Sequence, residues 1–131
     1  MSHFRFVQDW LEGWNSRSPA RIMAHYADDA VFQSPSVLAL GGSSAGIVRG
    51  KREITEFTRR AFERFPKLRF EVEDVTERPH RVIVIYRKLG VFAEKPGLTV
   101  EVFEFENGLL KRNVVYWSAE EVASRFRATS T

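Results

Sequence analysis

A carboxylate set among aromatic residues at strand spacing is the feature of this 131-residue chain best suited to chemistry. Glu101 lies in the run Thr99 to Glu106. Alternation there puts Thr99, Glu101, Phe103 and Phe105 on one pleat face and Val100, Val102, Glu104 and Glu106 on the other. A second run, Leu109 to Ser118, follows Asn107-Gly108, a pair whose tolerance of positive φ makes it a strong hairpin signal. Asn113, Val115 and Trp117 share one face of that second strand. Glu101 has two readings. In one, aromatic surroundings disfavour its charged form and raise its pKa, so that a neutral acid protonates or hydrogen-bonds a ligand carbonyl. In the other, Arg87 or Arg112 meets it in a structural ion pair.

The remaining polar candidates carry less. His25 stands beside Met23 and Tyr26 and reads as a partly buried structural histidine, while His3 and His80 fall at a terminus and a turn. No two histidines share metal-ligand spacing with a carboxylate, so no metal is expected. Asp28 and Asp29 are neighbours that cap and turn the backbone. No Ser/His/Asp arrangement is present, and the glycines between positions 41 and 50 lack the lysine-ended spacing of a phosphate-cradling loop.

Composition narrows the classes. Cysteine is absent, which excludes disulfides, thiolate zinc and thiol catalysis and suits a reducing compartment, so a cytoplasmic location is expected. Arg5, Asp9 and Glu12 interrupt any signal-like amino terminus, and no apolar run approaches the roughly 20 residues of a membrane span. The formal charge is only +3, and the basic residues of Lys51 to Arg64 are interleaved with acids as on a solvated helix, so no nucleic-acid partner is expected. Eleven Phe, three Trp and three Tyr are many for this length; most are expected in the core, and some could line a cavity.

The elements that must position Glu101 follow from periodicity. Phe4, Val7, Leu11 and Trp14, widened by Phe6 and Trp10, predict a helix from about residue 3 to 15. Ser18-Pro19 predicts a second helix running to about Ala27 and burying Ile22, Met23 and Tyr26. Ala30 to Ser34 predicts a short strand with Phe32 and Ser34 on one face, stopped by Pro35. Residues 36–50, rich in glycine, read as a loop, either a lid or a disordered insertion. Ile54, Phe57, Ala61 and Phe65 predict a third helix ended by Pro66. Leu68 to Glu77 and His80 to Leu89 read as strands, the second apolar on both faces and therefore covered on both. Ala119 to Arg127 predicts a short carboxy-terminal helix. The sum is a single α+β domain over 1–131, with a strongly curved antiparallel sheet packed as a cone against three helices and a pocket at its open end.

Three motifs add a family resemblance: Tyr26-Ala27-Asp28-Asp29-Ala30-Val31 entering the first strand, Gly50-Lys51-Arg52-Glu53-Ile54 opening the third helix, and the hairpin ending in Tyr116-Trp117. Over almost its whole length the chain resembles the nuclear transport factor 2-like superfamily in its SnoaL-like branch, which includes ketosteroid isomerases and polyketide cyclases. The resemblance implies a cone-shaped mixed or antiparallel sheet. By position it places the acid that hydrogen-bonds a substrate oxyanion at Glu101, the proton-shuttling aspartate at Ser34 and the oxyanion tyrosine at Trp10. Serine is no base near neutral pH, and an indole has no phenolic proton, so steroid isomerisation by the family route is not expected.

The sequence therefore predicts a pocket for a small, mostly apolar molecule bearing a polar group. Glu101 is the candidate acid or base, Asn113 orients the guest beside it, Trp10, Trp14, Phe32, Phe103 and Trp117 form walls, and Ser34 is a minor polar contact. Any catalysis would be cofactor-independent isomerisation, cyclisation or hydrolysis. The alternative is a non-catalytic module that sequesters a ligand or forms a homodimer through the outer sheet face, where Val100 and Val102 would sit.

Overall fold

A computed structural model describes residues 3–41, 43–91 and 97–123. Its elements run α1 Phe4–Asn15, α2 Pro19–Met23, β1 Tyr26–Gln33, α3 Pro35–Leu40, β2 Ile47–Arg49, α4 Gly50–Arg64, β3 Arg69–Arg78, β4 Arg81–Leu89, β5 Leu98–Glu106 and β6 Leu109–Trp117. Residues 119–123 form a further helical turn, and the rest of the helix expected to Arg127 lies outside the described residues. The six strands form one curved, unclosed sheet in the order β2-β1-β6-β5-β4-β3. All neighbours pair antiparallel except β1 and β6, which are parallel.

Helix α1 buries Phe6, Trp10, Gly13 and Trp14, a stripe at helical spacing. Gly13 is where α2 crosses closest, because a Cβ there would lie 2.7 Å from Ile22 Cγ1 and 2.9 Å from Ile22 N. Asn15 then ties the helix end to the sheet: its Nδ2 donates to Phe70 O at 3.1 Å and its Oδ1 accepts from Phe70 N at 2.7 Å. Both bonds go to one strand residue, so Asn15→Ala is expected to lose about 1–3 kcal/mol in urea unfolding. A loss within error would mean that α1 docks by its aromatic face alone.

Helix α2 is shorter than its periodicity predicts. It ends at Met23, and Tyr26 and Ala27 already belong to β1, because Tyr26 pairs with Leu110 of β6 and Leu110 N donates to His25 O at 2.8 Å. Tyr26 is buried by strand pairing, an outcome that helical spacing from Ile22 imitates locally. The start of α2 is as expected, with Ser18 Oγ accepting from Arg21 N and Pro19 in the first turn. Ser18→Ala should therefore cost about 1 kcal/mol, read as a shift in the urea midpoint; an unchanged midpoint would argue that tertiary contacts hold this turn.

The expected loop over 36–50 is also corrected. Ser34-Pro35 starts a helix by the same device as Ser18-Pro19, with Ser34 Oγ accepting from Ser36 N at 3.1 Å. Beyond it, Ile47–Arg49 adds a strand antiparallel to β1, with Phe32 opposite Val48. Among the described residues the helices before β3 thus number four, not three.

In the β3–β4 hairpin, a bulge between Val72 and Asp74 breaks the alternation, and Val75 is 38% exposed. Strand β4 is covered fully on one face only: Val82, Val84, Tyr86 and Lys88 are buried, while Ile83 and Ile85 are half-buried. The core lies between that inner face and helices α1, α2 and α4.

Candidate functional site

The register of the central strands decides what surrounds Glu101. It pairs with Val84 of β4 on one side and Val115 of β6 on the other, so the inner-face residues two places along, Tyr86 and Asn113, flank it diagonally. Tyr86 donates its hydroxyl hydrogen to Glu101 Oε1 at 2.6 Å, and Asn113 Nδ2 donates to Oε2 at 3.0 Å. Asn113 Nδ2 also donates to Val102 O at 3.2 Å, while its Oδ1 accepts from the Tyr26 hydroxyl at 2.6 Å. Four adjacent strands, β1, β6, β5 and β4, therefore contribute one side chain each to a buried chain of hydrogen bonds.

Glu101 is 4% exposed. Burial pushes its carboxyl above the usual carboxylate range, against the opposing pull of the Tyr86 and Asn113 hydrogen bonds and the positive charge of Lys88. Tyr26 and Tyr86 are held protonated well past the usual phenol range by burial and by the Glu101 charge. Neither expected arginine partner is here: Arg87 pairs with Glu73 and Arg112 lies 4.0 Å from Glu104. Both point to the outer face, opposite in parity to Tyr86 and Asn113.

Glu101, Tyr26 and Tyr86 line a cavity whose other walls include Trp14, Phe32, Ile54, Phe57, Phe65 and Phe70. The space between atoms is about 570 Å³ counting the mouth, yet the centres of water-sized spheres fit in only about 40 Å³. At about 10–15 Å³ for each water the enclosed part is room for roughly three waters, so a guest as large as a ring must extend into the mouth. Leu40 and Val91 are the half-buried members of the lining and mark where it reaches the surface.

Of the residues picked out in the sequence, the structure brings Glu101, Trp14, Phe32 and Ser34 to this cavity. Asn113 stands behind Glu101 and holds it without lining the space. Trp10 and Phe103 do not line it either: they are 1% and 0% exposed and pack against each other, with Trp10 also against Phe70 and Tyr86. The Trp10 Nε1 hydrogen finds no acceptor among the described residues, and it is walled off from the cavity. Trp117 lies outside the lining, with Lys88 Nζ 5.4 Å from its ring centroid. His25 is outside as well, hydrogen-bonded to Asp9 at 2.8 Å.

Sequence reasoning missed Tyr26, Tyr86 and Lys88. The signal for the last two was a two-residue step from Val84 on β4, legible only with the β4–β5 register; Tyr26 was hidden by its helical spacing.

The SnoaL-like domain family matches residues 7–113. The chain belongs to that family. No curated protein matches the sequence. Among solved structures, this SnoaL-like chain is similar to a SnoaL-like protein of unknown function from Burkholderia thailandensis, at 26% identity and TM-score 0.77, covering 88% of this chain and 93% of that one. An NTF2-like protein of unknown function from Burkholderia pseudomallei gives 22% identity and TM-score 0.79 over 100% of both chains. TerC, co-crystallised with polyporic acid, gives 16% identity and TM-score 0.77 over 98% of both. Others that share the SnoaL-like fold are described as ketosteroid isomerase-like or polyketide cyclase-like. Among the described residues, no helix is long and apolar enough to cross a membrane.

Proposed function

We propose that this SnoaL-like protein binds a small, mostly apolar molecule in the cavity, with its polar group at Glu101, and performs cofactor-independent acid–base chemistry on it of the isomerase, cyclase or hydrolase type. The observation that carries the reading is the buried carboxylate at the wall of an apolar cavity, hydrogen-bonded by Tyr86 and Asn113. A carboxylate in such a place is costly to bury, and a raised pKa suits a group that must both take and return a proton. The co-crystallised TerC supports the reading, since a protein of this fold has been crystallised with polyporic acid.

Trp14 in the cavity wall gives the test. Quenching of tryptophan fluorescence by a panel of small ketones, phenols and lipids is expected to saturate for at least one class. Glu101→Ala should keep apolar binding while losing turnover; general acid or base groups are worth about 10²–10⁴-fold in rate. Binding with no turnover in either protein would leave a sequestering module.

A second reading, homodimerisation, draws support from the outer face. Ile83 and Ile85 of β4, Val100 of β5 and Tyr116 of β6 lie there around the buried Val102 and Val114; the first three are half-buried and Tyr116 is 55% exposed. Sedimentation of the protein and of Val100→Glu tests it: a dimer that the variant dissolves supports this face, and a monomer at high concentration removes it.

A further inference from the structure

We propose that the cavity selects a guest that donates a hydrogen bond, such as a small phenol or enol, to Glu101 and Tyr86, and that it discriminates against a guest offering only a carbonyl there. The inference rests on the ligand-binding reading above and names the ligand's chemistry.

It follows from counting hydrogens. Tyr26 commits its hydroxyl hydrogen to Asn113 Oδ1 and Tyr86 commits its own to Glu101 Oε1. Asn113 has two amide hydrogens, and both are used, one on Glu101 Oε2 and one on Val102 O. Flipping that amide would set its oxygen against a carboxylate and a carbonyl and its nitrogen against a hydroxyl donor, so its orientation is forced. With Glu101 ionised, no hydrogen in the network remains. Tyr26, Tyr86 and Glu101 line the cavity, and any polar atom of theirs that reaches it can offer lone pairs only. A guest hydroxyl can satisfy them; a ketone oxygen would face acceptors with nothing to accept, and the desolvation of both is uncompensated. A second, accepting group on the same guest would have to turn to Ser34 or Lys88, which also line the cavity and carry hydrogens.

Protonation inverts the pattern. If Glu101 holds a proton on Oε1, it can donate to the Tyr86 oxygen across the same 2.6 Å, and the phenolic hydrogen is released toward the guest. Glu101→Gln imitates that state, because Asn113 can donate to the new amide oxygen while the new amide nitrogen donates to Tyr86. The groups that bear on this titration are Tyr86 and Lys88 from β4, Asn113 from β6, Tyr26 from β1 and, acting on Tyr86, Glu121 from the turn at 119–123.

The test uses four single-ring probes, 4-fluorophenol, 4-fluoroanisole, 4-fluoroacetophenone and 4-fluorotoluene, with affinities from fluorine line broadening at about pH 8, below ordinary phenol ionisation. The natural protein is expected to bind the phenol at least about tenfold more tightly than the other three, which is about 1.4 kcal/mol. Glu101→Gln should erase that preference or pass it to the ketone. If the ketone or the ether matches the phenol in the natural protein, or if the glutamine variant keeps the phenol preference, the proposal is overturned while the pocket stands. If none of the four binds, the fluorotoluene included, the ligand-binding reading itself falls. Should Glu101→Gln fail to fold, Tyr86→Phe replaces it: with Oε1 freed, the phenol preference should grow, and a preference that shrinks overturns the proposal.

Discussion

Gly90→Ala is expected to destabilise the protein by about 3–5 kcal/mol and to abolish saturable quenching at the cavity. Two separate penalties meet at this residue. Its φ is +75°, a conformation in which an L side chain costs roughly 1–2 kcal/mol. A Cβ there would also be driven into the backbone carbonyl of Lys67 and within 3.0 Å of Leu68 N, and backbone cannot rotate aside as a side chain can. Gly90 directly follows β4, between Lys88 and Val91, while Leu68 lies across from it, and all three of these line the cavity, so any shift that relieves the clash deforms the site. Gly108 is the control. Its φ is +79°, but a Cβ there meets nothing within 4 Å, so Gly108→Ala should cost only about 1–2 kcal/mol. Urea unfolding of the two variants separates the terms, and equal losses would mean that the close approach of Gly90 to Lys67 contributes nothing.

The same local chemistry that made some of this molecule legible concealed the rest. The Asn107-Gly108 turn and the alternation of Thr99, Glu101 and Phe103 placed Glu101 on the inner face, because a hairpin is a short-range object whose register the turn itself restrains. The Ser-Pro start signal worked at Ser18-Pro19 and was passed over at Ser34-Pro35, where the glycines that follow outweighed it; α3 is six residues long and relies on that cap. Tyr26 shows the harder failure. Its spacing from Ile22 fits a helix, and only pairing with β6, more than eighty residues away, makes it a strand residue. The polar network inherits that difficulty, since two of its four members, Tyr26 and Tyr86, are brought to Glu101 and Asn113 only by pairings outside that hairpin. Trp10 and Phe103 were expected as cavity walls and instead pack on each other in the core, because the sequence cannot say which rings fill space and which leave it empty. That distinction depends on depth: Trp10 from α1 caps the sheet beside Phe103, and the open volume lies further toward α4.

Raising the pH should weaken the natural protein relative to Glu101→Gln. Burial lifts the folded-state pKa of Glu101 above the 4.5 of an ordinary glutamate, so between those two values the folded state binds more protons than the unfolded chain. Stability then falls as pH rises, by at most about 1.4 kcal/mol for each pH unit, beginning near the unfolded value and ending once the folded carboxyl has ionised. Other carboxylates run the opposite way: Asp9, hydrogen-bonded by His25, and Asp29, hydrogen-bonded by Lys111, are held below their usual range and contribute stability that is lost as the solution is acidified. Subtracting the glutamine variant removes these shared contributions and leaves Glu101. Urea unfolding from about pH 4 to pH 8 should therefore give a difference that is flat at the acid end, declines through the window and levels off. A difference that rises with pH would mean that Tyr86, Asn113 and Lys88 outweigh desolvation and hold an ionised carboxylate as an anchor. In that case Glu101 would keep the lone pairs that a donating guest needs but would lose the readiness to take up a proton, and binding would survive where catalysis would not.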